Sequence, residues 1–216
     1  VQPDELLSAL RERRILAVVR GNDPDAALDA VLDLFASGID LVEVSLTTAG
    51  AFSVLERARA VLGPYAALGA GTLVTGADAR SAARAGAAFA VTPGLTEAVG
   101  EAQSLGLPVL AGAVTPTEVA QAWTEGATAV KLFPGSLGGP GYLRALRDPF
   151  PDVPFVPVGG VDAAAAREFL AAGALAVGVG GPLLGTAART GGDTAGLPGR
   201  IAAFRALAEE FPCPTS

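Results

Sequence analysis

The chain has 216 residues, half of them hydrophobic, with 28 glycines, 16 prolines and a formal net charge of −7. An acidic balance without a basic cluster argues against non-specific nucleic-acid binding and against an anionic membrane surface. Histidine is absent and the sole cysteine is Cys213, which excludes histidine relays, Cys–His nucleophilic pairs, histidine-containing zinc sites and an intrachain disulfide framework.

A helix is expected over residues 3–12, ahead of a first strand near 15–20. Further short aliphatic runs predict strands near 41–46, 66–71, 88–92, 109–113, 128–133, 154–158 and 175–179. Alanine- and leucine-rich helical patterns lie between them, near 24–37, 50–61, 77–86, 96–105, 116–125, 140–147 and 162–172, and a last helix is expected near 197–209. Asp23-Pro24 and Thr115-Pro116-Thr117-Glu118 read as helix starts, each with a cap residue before a first-turn proline. Gly38, Gly86, Gly106, Gly126 and Gly173 follow helical patterns where a left-handed terminating residue is expected. The Gly191-Gly192-Asp193 region reads as a loop.

Alternation of this kind indicates a parallel sheet. Eight units in 216 residues leave little room for a second domain. The expectation is one α/β domain over residues 1–216, a closed (β/α)8 TIM barrel with an additional N-terminal helix. The lack of a disulfide framework favours the cytoplasm. The start of the sequence has no basic segment followed by an apolar one, so no secretion signal is expected, and runs such as 41–46 are too short to span a membrane. Cys213 reads as inert.

Lys131 is the only lysine, because arginine supplies the other 14 of the 15 basic side chains. It ends the apolar run Ala127-Thr128-Ala129-Val130-Lys131-Leu132-Phe133-Pro134. Apolar surroundings favour the neutral form of an amine, which can attack a carbonyl as a guanidinium cannot. Schiff-base chemistry is one expectation; a chance lysine capping a strand is the other. Glu43, in Leu41-Val42-Glu43-Val44-Ser45-Leu46, has the opposite parity to its flanking valines. One set must therefore face the barrel interior. A carboxylate among aliphatic residues needs a partner or a purpose: it shuttles protons beside Lys131, or it forms a structural ion pair with Lys131 or Arg20.

Active groups of such barrels gather where strands end and βα loops begin. Val158-Gly159-Gly160-Val161 and Val177-Gly178-Val179-Gly180-Gly181 follow the last two strands, where backbone N–H groups can take a phosphate or simply make tight turns. Gly69-Ala70-Gly71-Thr72 ends the third strand, with Thr72 a candidate for a substrate carboxylate or hydroxyl. Thr92-Pro93-Gly94 is a candidate pocket wall, and Arg20 is an anion-binding group or a structural pair.

Taken together, Glu43-Val44-Ser45-Leu46, Gly69-Ala70-Gly71-Thr72, Val91-Thr92-Pro93-Gly94-Leu95-Thr96, Lys131-Leu132-Phe133-Pro134 and the later Gly-Gly turns resemble one family. It is the class I aldolases that cleave 2-keto-3-deoxy-6-phosphogluconate or its galactonate epimer, with 4-hydroxy-2-oxoglutarate aldolases among them. The resemblance implies that Lys131 forms the Schiff base and that Glu43 acts as acid/base. It places Thr72 on the carboxylate, Pro93 and Phe133 around the bound chain, and Gly159, Gly160, Gly180 and Gly181 on the phosphate. The products it implies are pyruvate and glyceraldehyde 3-phosphate, or pyruvate and glyoxylate from 4-hydroxy-2-oxoglutarate. It implies no metal or cofactor, since a protonated imine is the electron sink, and a homotrimer. Gluconate-type relatives usually carry arginine where this chain has Thr47, and threonine where it has Val158. Val19-Arg20-Gly21 and Val158-Gly159-Gly160-Val161 are closer to the galactonate branch, leaving Arg20 as the candidate for the anion contact missing at Thr47. A phosphosugar isomerase or epimerase and a non-catalytic sugar-phosphate-binding protein are the alternatives.

Overall fold

Residues 2–212 are described by a computed structural model of the chain; Cys213 lies outside them. Helix α1 (Pro3–Arg13) leads into β1 (Ile15–Val19), and the chain then alternates. The first half continues with α2 (Pro24–Ala36), β2 (Leu41–Ser45), α3 (Ala51–Leu62), β3 (Ala67–Gly71), α4 (Gly76–Arg84) and β4 (Ala90–Val91). The second half holds α5 (Glu97–Ser104), β5 (Val109–Ala113), α6 (Pro116–Thr124), β6 (Ala129–Leu132), α7 (Gly139–Arg147) and β7 (Phe155–Pro157). It ends with α8 (Ala163–Ala171), β8 (Val177–Val179), the short α9 (Gly181–Leu184) and α10 (Leu197–Glu209). No described helix is long and apolar enough to cross a membrane.

Local chemistry explains the boundaries. The Asp23 carboxylate accepts from the N–H groups of Asp25 and Ala26 at 3.0 and 3.1 Å, with Pro24 in the first turn of α2. Thr115 and Glu118 exchange reciprocal side-chain bonds at the start of α6. The five glycines expected to terminate helices all take left-handed φ, between 75° and 91°.

Each strand pairs in parallel with its sequence neighbour, and β1 also pairs with β8. A Val158–Gly178 bridge joins the remaining edges, so the sheet closes as the (β/α)8 barrel expected. Alternate residues divide two layers. Ala17, Val42, Val44, Val130 and Leu132 pack outward against the helices. Leu16, Val18, Leu41, Val91, Leu110, Ala129 and Val156 fill the lumen. Leu6 and Leu10 of α1, both fully buried, join the lumen cluster beside Leu16, Leu41 and Phe89 and close the N-terminal end of the barrel. Each such leucine contributes roughly 1.5–3 kcal/mol of apolar burial.

Strands β6, β7 and β8 are each two residues shorter than expected, and two other elements differ further. Strand β4 spans two residues rather than 88–92, because two-sided pairing is confined to Ala90–Val91; Ala88 and Thr92 still donate to Leu68 and Leu110. The Gly180-Gly181 turn opens into α9, whose four residues are too few to leave a periodic signal.

Candidate active site

Strand β6 carries Ala129 and Lys131 inward while Val130 and Leu132 pack outward. Lys131 is 5% exposed, yet it lines a cavity of about 520 Å³ at the C-terminal mouth of the barrel. Its Nζ stands 5.1 Å from the centroid of the Phe133 ring, within range of a cation–π contact. No ion pair engages the amine among the described residues. Its register neighbour on β5 is Gly112, where a Cβ would overlap the Pro93–Gly94 backbone. The Gly112 N–H donates to Thr92 Oγ1 at 3.2 Å. This close approach brings Pro93 into the cavity wall beside Lys131 and Phe133.

Glu43 points into the same lumen from β2, sharing parity with Leu41. It is fully buried, and neither carboxylate oxygen has a hydrogen-bond partner among the described residues. The structural ion pair considered for Glu43 is not formed: neither Lys131 nor Arg20 pairs with it among the described residues. Its carboxylate leans over Gly71, where a Cβ would overlap Oε1 and Cδ. An orphan buried polar group costs about 1–3 kcal/mol, and more when charged. Buried groups of this kind cluster at functional sites, which makes Glu43 a candidate for one.

At the ends of β2 and β3 three hydroxyls form a chain. Ser45 Oγ lies 2.8 Å from Thr47 Oγ1 and 2.9 Å from Thr72 Oγ1. Thr72 has φ 64°, a left-handed conformation that costs a β-branched residue about 1–3 kcal/mol. Thr72 lines the cavity; Thr47 is exposed outside its wall and reaches Thr72 only through Ser45. Ser45 was not singled out from the sequence, although it shares the inward parity of Glu43.

At the far side Gly159 and Gly160, with φ 93° and 73°, turn the chain under the cavity, and Gly180 and Gly181 line it just past the end of β8. A Cβ on Gly160 would press on Ser136 at 2.7 Å, and one on Gly159 would press on the Phe133 ring at 3.0 Å. These glycines therefore allow the loops after β6 and β7 to pack together. Arg20, just past the end of β1, lines the cavity and pairs with no carboxylate among the described residues. Arg189 also lines it; nothing in the local sequence around it indicated this. All the expected site residues except Thr47 and the more deeply buried Glu43 form the wall of this one cavity.

A barrel with a nearly buried amine and an unpartnered carboxylate below its C-terminal mouth has the layout of a carbonyl-attacking enzyme. The profile of the family described as "Aldolase: KDPG and KHG aldolase" matches residues 6–197, and the chain belongs to that family. It is 36% identical over 163 residues to the 2-dehydro-3-deoxy-phosphogluconate aldolase of Pseudomonas aeruginosa, covering 74% of each chain. It is 33% identical over 171 residues to the 2-dehydro-3-deoxy-6-phosphogalactonate aldolase of Escherichia coli, covering 78% of this chain and 83% of that one. The structure of a Legionella pneumophila KDPG aldolase, with pyruvate captured as a covalent carbinolamine, superposes with a TM-score of 0.80 at 26% identity over 98% of both chains.

Proposed function

We propose that this protein is a class I aldolase that cleaves a 2-dehydro-3-deoxy-6-phospho sugar acid, of gluconate or galactonate type, to pyruvate and glyceraldehyde 3-phosphate. The Lys131 amine attacks C2 of the keto acid to give a carbinolamine. Glu43 passes protons so that the former carbonyl oxygen leaves as water and an iminium remains. Loss of the C4 hydroxyl proton breaks the C3–C4 bond, releases the aldehyde and pushes the electron pair into the iminium as an enamine. Protonation at C3 and hydrolysis free pyruvate and restore the amine.

Thr72 holds the carboxylate end, while Pro93 and Phe133 enclose the chain. The turns at Gly159-Gly160 and Gly180-Gly181 take the phosphate, and Arg20 supplies the anion contact missing at Thr47. Thr47 acts through Ser45, as a neutral hydroxyl where an arginine is usual. A shorter acid, 4-hydroxy-2-oxoglutarate, fits the same chemistry with glyoxylate as the aldehyde product. The resemblance further supports a homotrimeric, cytoplasmic enzyme acting on small molecules, with residues 1–216 as a single aldolase domain; sedimentation measures the subunit number.

The observation that carries the proposal is a lysine only 5% exposed that still lines the cavity. Incubation with pyruvate and borohydride, followed by peptide mass analysis, is the test: reduction should fix the pyruvyl group on Lys131. An unmodified Lys131 under conditions that label another class I aldolase would reject the Schiff base. Side-by-side turnover of the two phosphorylated epimers then assigns the substrate.

A further inference from the structure

We propose that Arg189 is the second arm of a two-guanidinium clamp, with Arg20, on the phosphoryl end of the substrate; this rests on the aldolase reading above. Arg20 and Arg189 flank one close backbone contact. A Cβ on Gly21 would overlap the carbonyl of Ala188, so only glycine lets the loop after β1 and the segment after α9 meet this closely. The residue on one side of Gly21 and the residue after Ala188 thus leave adjoining stretches of backbone, and both line the cavity.

The segment that bears Arg189 is held from both sides. Arg189 N–H donates to the Thr186 carbonyl, and Gly192 N–H donates to the Arg189 carbonyl, both at 2.9 Å. Thr190 N–H donates to Asn22 Oδ1 at 3.3 Å, and Thr190 Oγ1 donates to Asp23 Oδ2 at 3.1 Å. Asp23 also caps α2, which ties the segment to a helix start.

Carboxylates near this segment are engaged elsewhere: Asp23 as just described, and Asp193 with Arg200 and the Gly196 N–H. Arg189 makes no ion pair or side-chain hydrogen bond among the described residues. By contrast Arg13, Arg57, Arg80, Arg167 and Arg200 all hold carboxylates. The cavity wall contains Lys131, Arg20 and Arg189 and no acidic residue, in a chain whose net charge is −7. Lys131 is committed to the ketone, which leaves two planar donors beside the Gly159-Gly160 and Gly180-Gly181 turns for a dianion.

The test compares wild type with Arg189→Ala and Arg189→Lys. Inorganic phosphate binding is titrated by calorimetry, and turnover is measured on the phosphorylated epimers and on 4-hydroxy-2-oxoglutarate. Loss of one charge-assisted contact should weaken phosphate binding in Arg189→Ala by about ten- to a hundredfold. KM should rise at least about tenfold more for the phosphorylated substrate than for the unphosphorylated one, and lysine should recover part of the loss. Equal losses on both substrates, or phosphate binding as tight as in wild type, would overturn the clamp. If wild type cleaves neither epimer while Arg189→Ala still loses phosphate, the clamp stands and the aldolase reading fails.

Discussion

The carboxylate of Glu43 rests on the bare α-carbon of Gly71, so close that a Cβ on Gly71 would overlap Oε1. The two residues lie on adjacent strands, with Glu43 in register with Gly69, so the side chain reaches two positions toward the barrel mouth. Gly71→Ala should push the carboxylate off its position. A displacement of about 1 Å in a catalytic group costs on the order of a hundredfold in rate. We expect kcat and the rate of pyruvate trapping on Lys131 to fall together by about that factor; a kcat within about twofold of wild type would show that Glu43 needs no such placement.

Lys131 is buried with no ion pair among the described residues, and a role as nucleophile would trade stability for reactivity. Lys131→Met keeps the length of the side chain and removes the amine. It should abolish cleavage and raise unfolding stability by about 1 kcal/mol, read from urea midpoints near neutral pH. A less stable variant would mean that the amine contributes a net stabilising contact, such as that with the Phe133 ring.

Ser45 Oγ is shared between Thr47 and Thr72. Ser45→Ala leaves Thr72 without its hydroxyl partner at the point where it should meet the substrate carboxylate. Steady-state kinetics should show KM rising about three- to tenfold, the range of one neutral hydrogen bond, with a smaller change in kcat. An unaltered KM would remove this hydroxyl chain from substrate binding.

Acid sensitivity should come partly from the start of α6. The Glu118 carboxylate accepts from the Thr115 and Val114 N–H groups at 2.8 and 2.9 Å, and from the Thr115 hydroxyl. The Thr115 N–H is the largest influence holding its pKa below the ordinary glutamate value. A depressed folded pKa stabilises above the unfolded value, and that contribution is lost as pH falls through the folded one. The stability advantage of wild type over Glu118→Gln should therefore be present at about pH 6.5 and shrink by about pH 3.5. A constant difference between urea midpoints at those two values would rule this out.

The alternation of strands and helices was legible because every strand is a short aliphatic run and many helices are bracketed by cap residues and glycines. Parity alone also placed Glu43 opposite Val42 and Val44. Which set faces the lumen depended on closure of the sheet, a contact between β1 and β8 that joins distant parts of the chain. The segment bearing Arg189 likewise meets the loop bearing Arg20 over a long separation: Thr190 bonds to Asn22 across 168 positions, and no local pattern encodes such a meeting.

Side-chain type and spacing set the secondary elements, the opposite parity of Glu43 to its flanking valines, and the glycines at the last two strand ends, because these follow from backbone geometry over a few residues. Packing decided the rest. Whether Glu43 pairs or stands alone, whether Gly71 and Gly112 leave room for a carboxylate and for Pro93, and whether Ser45 links two threonines all depend on how neighbouring strands fill a shared interior. Those distances exist only once the barrel has closed.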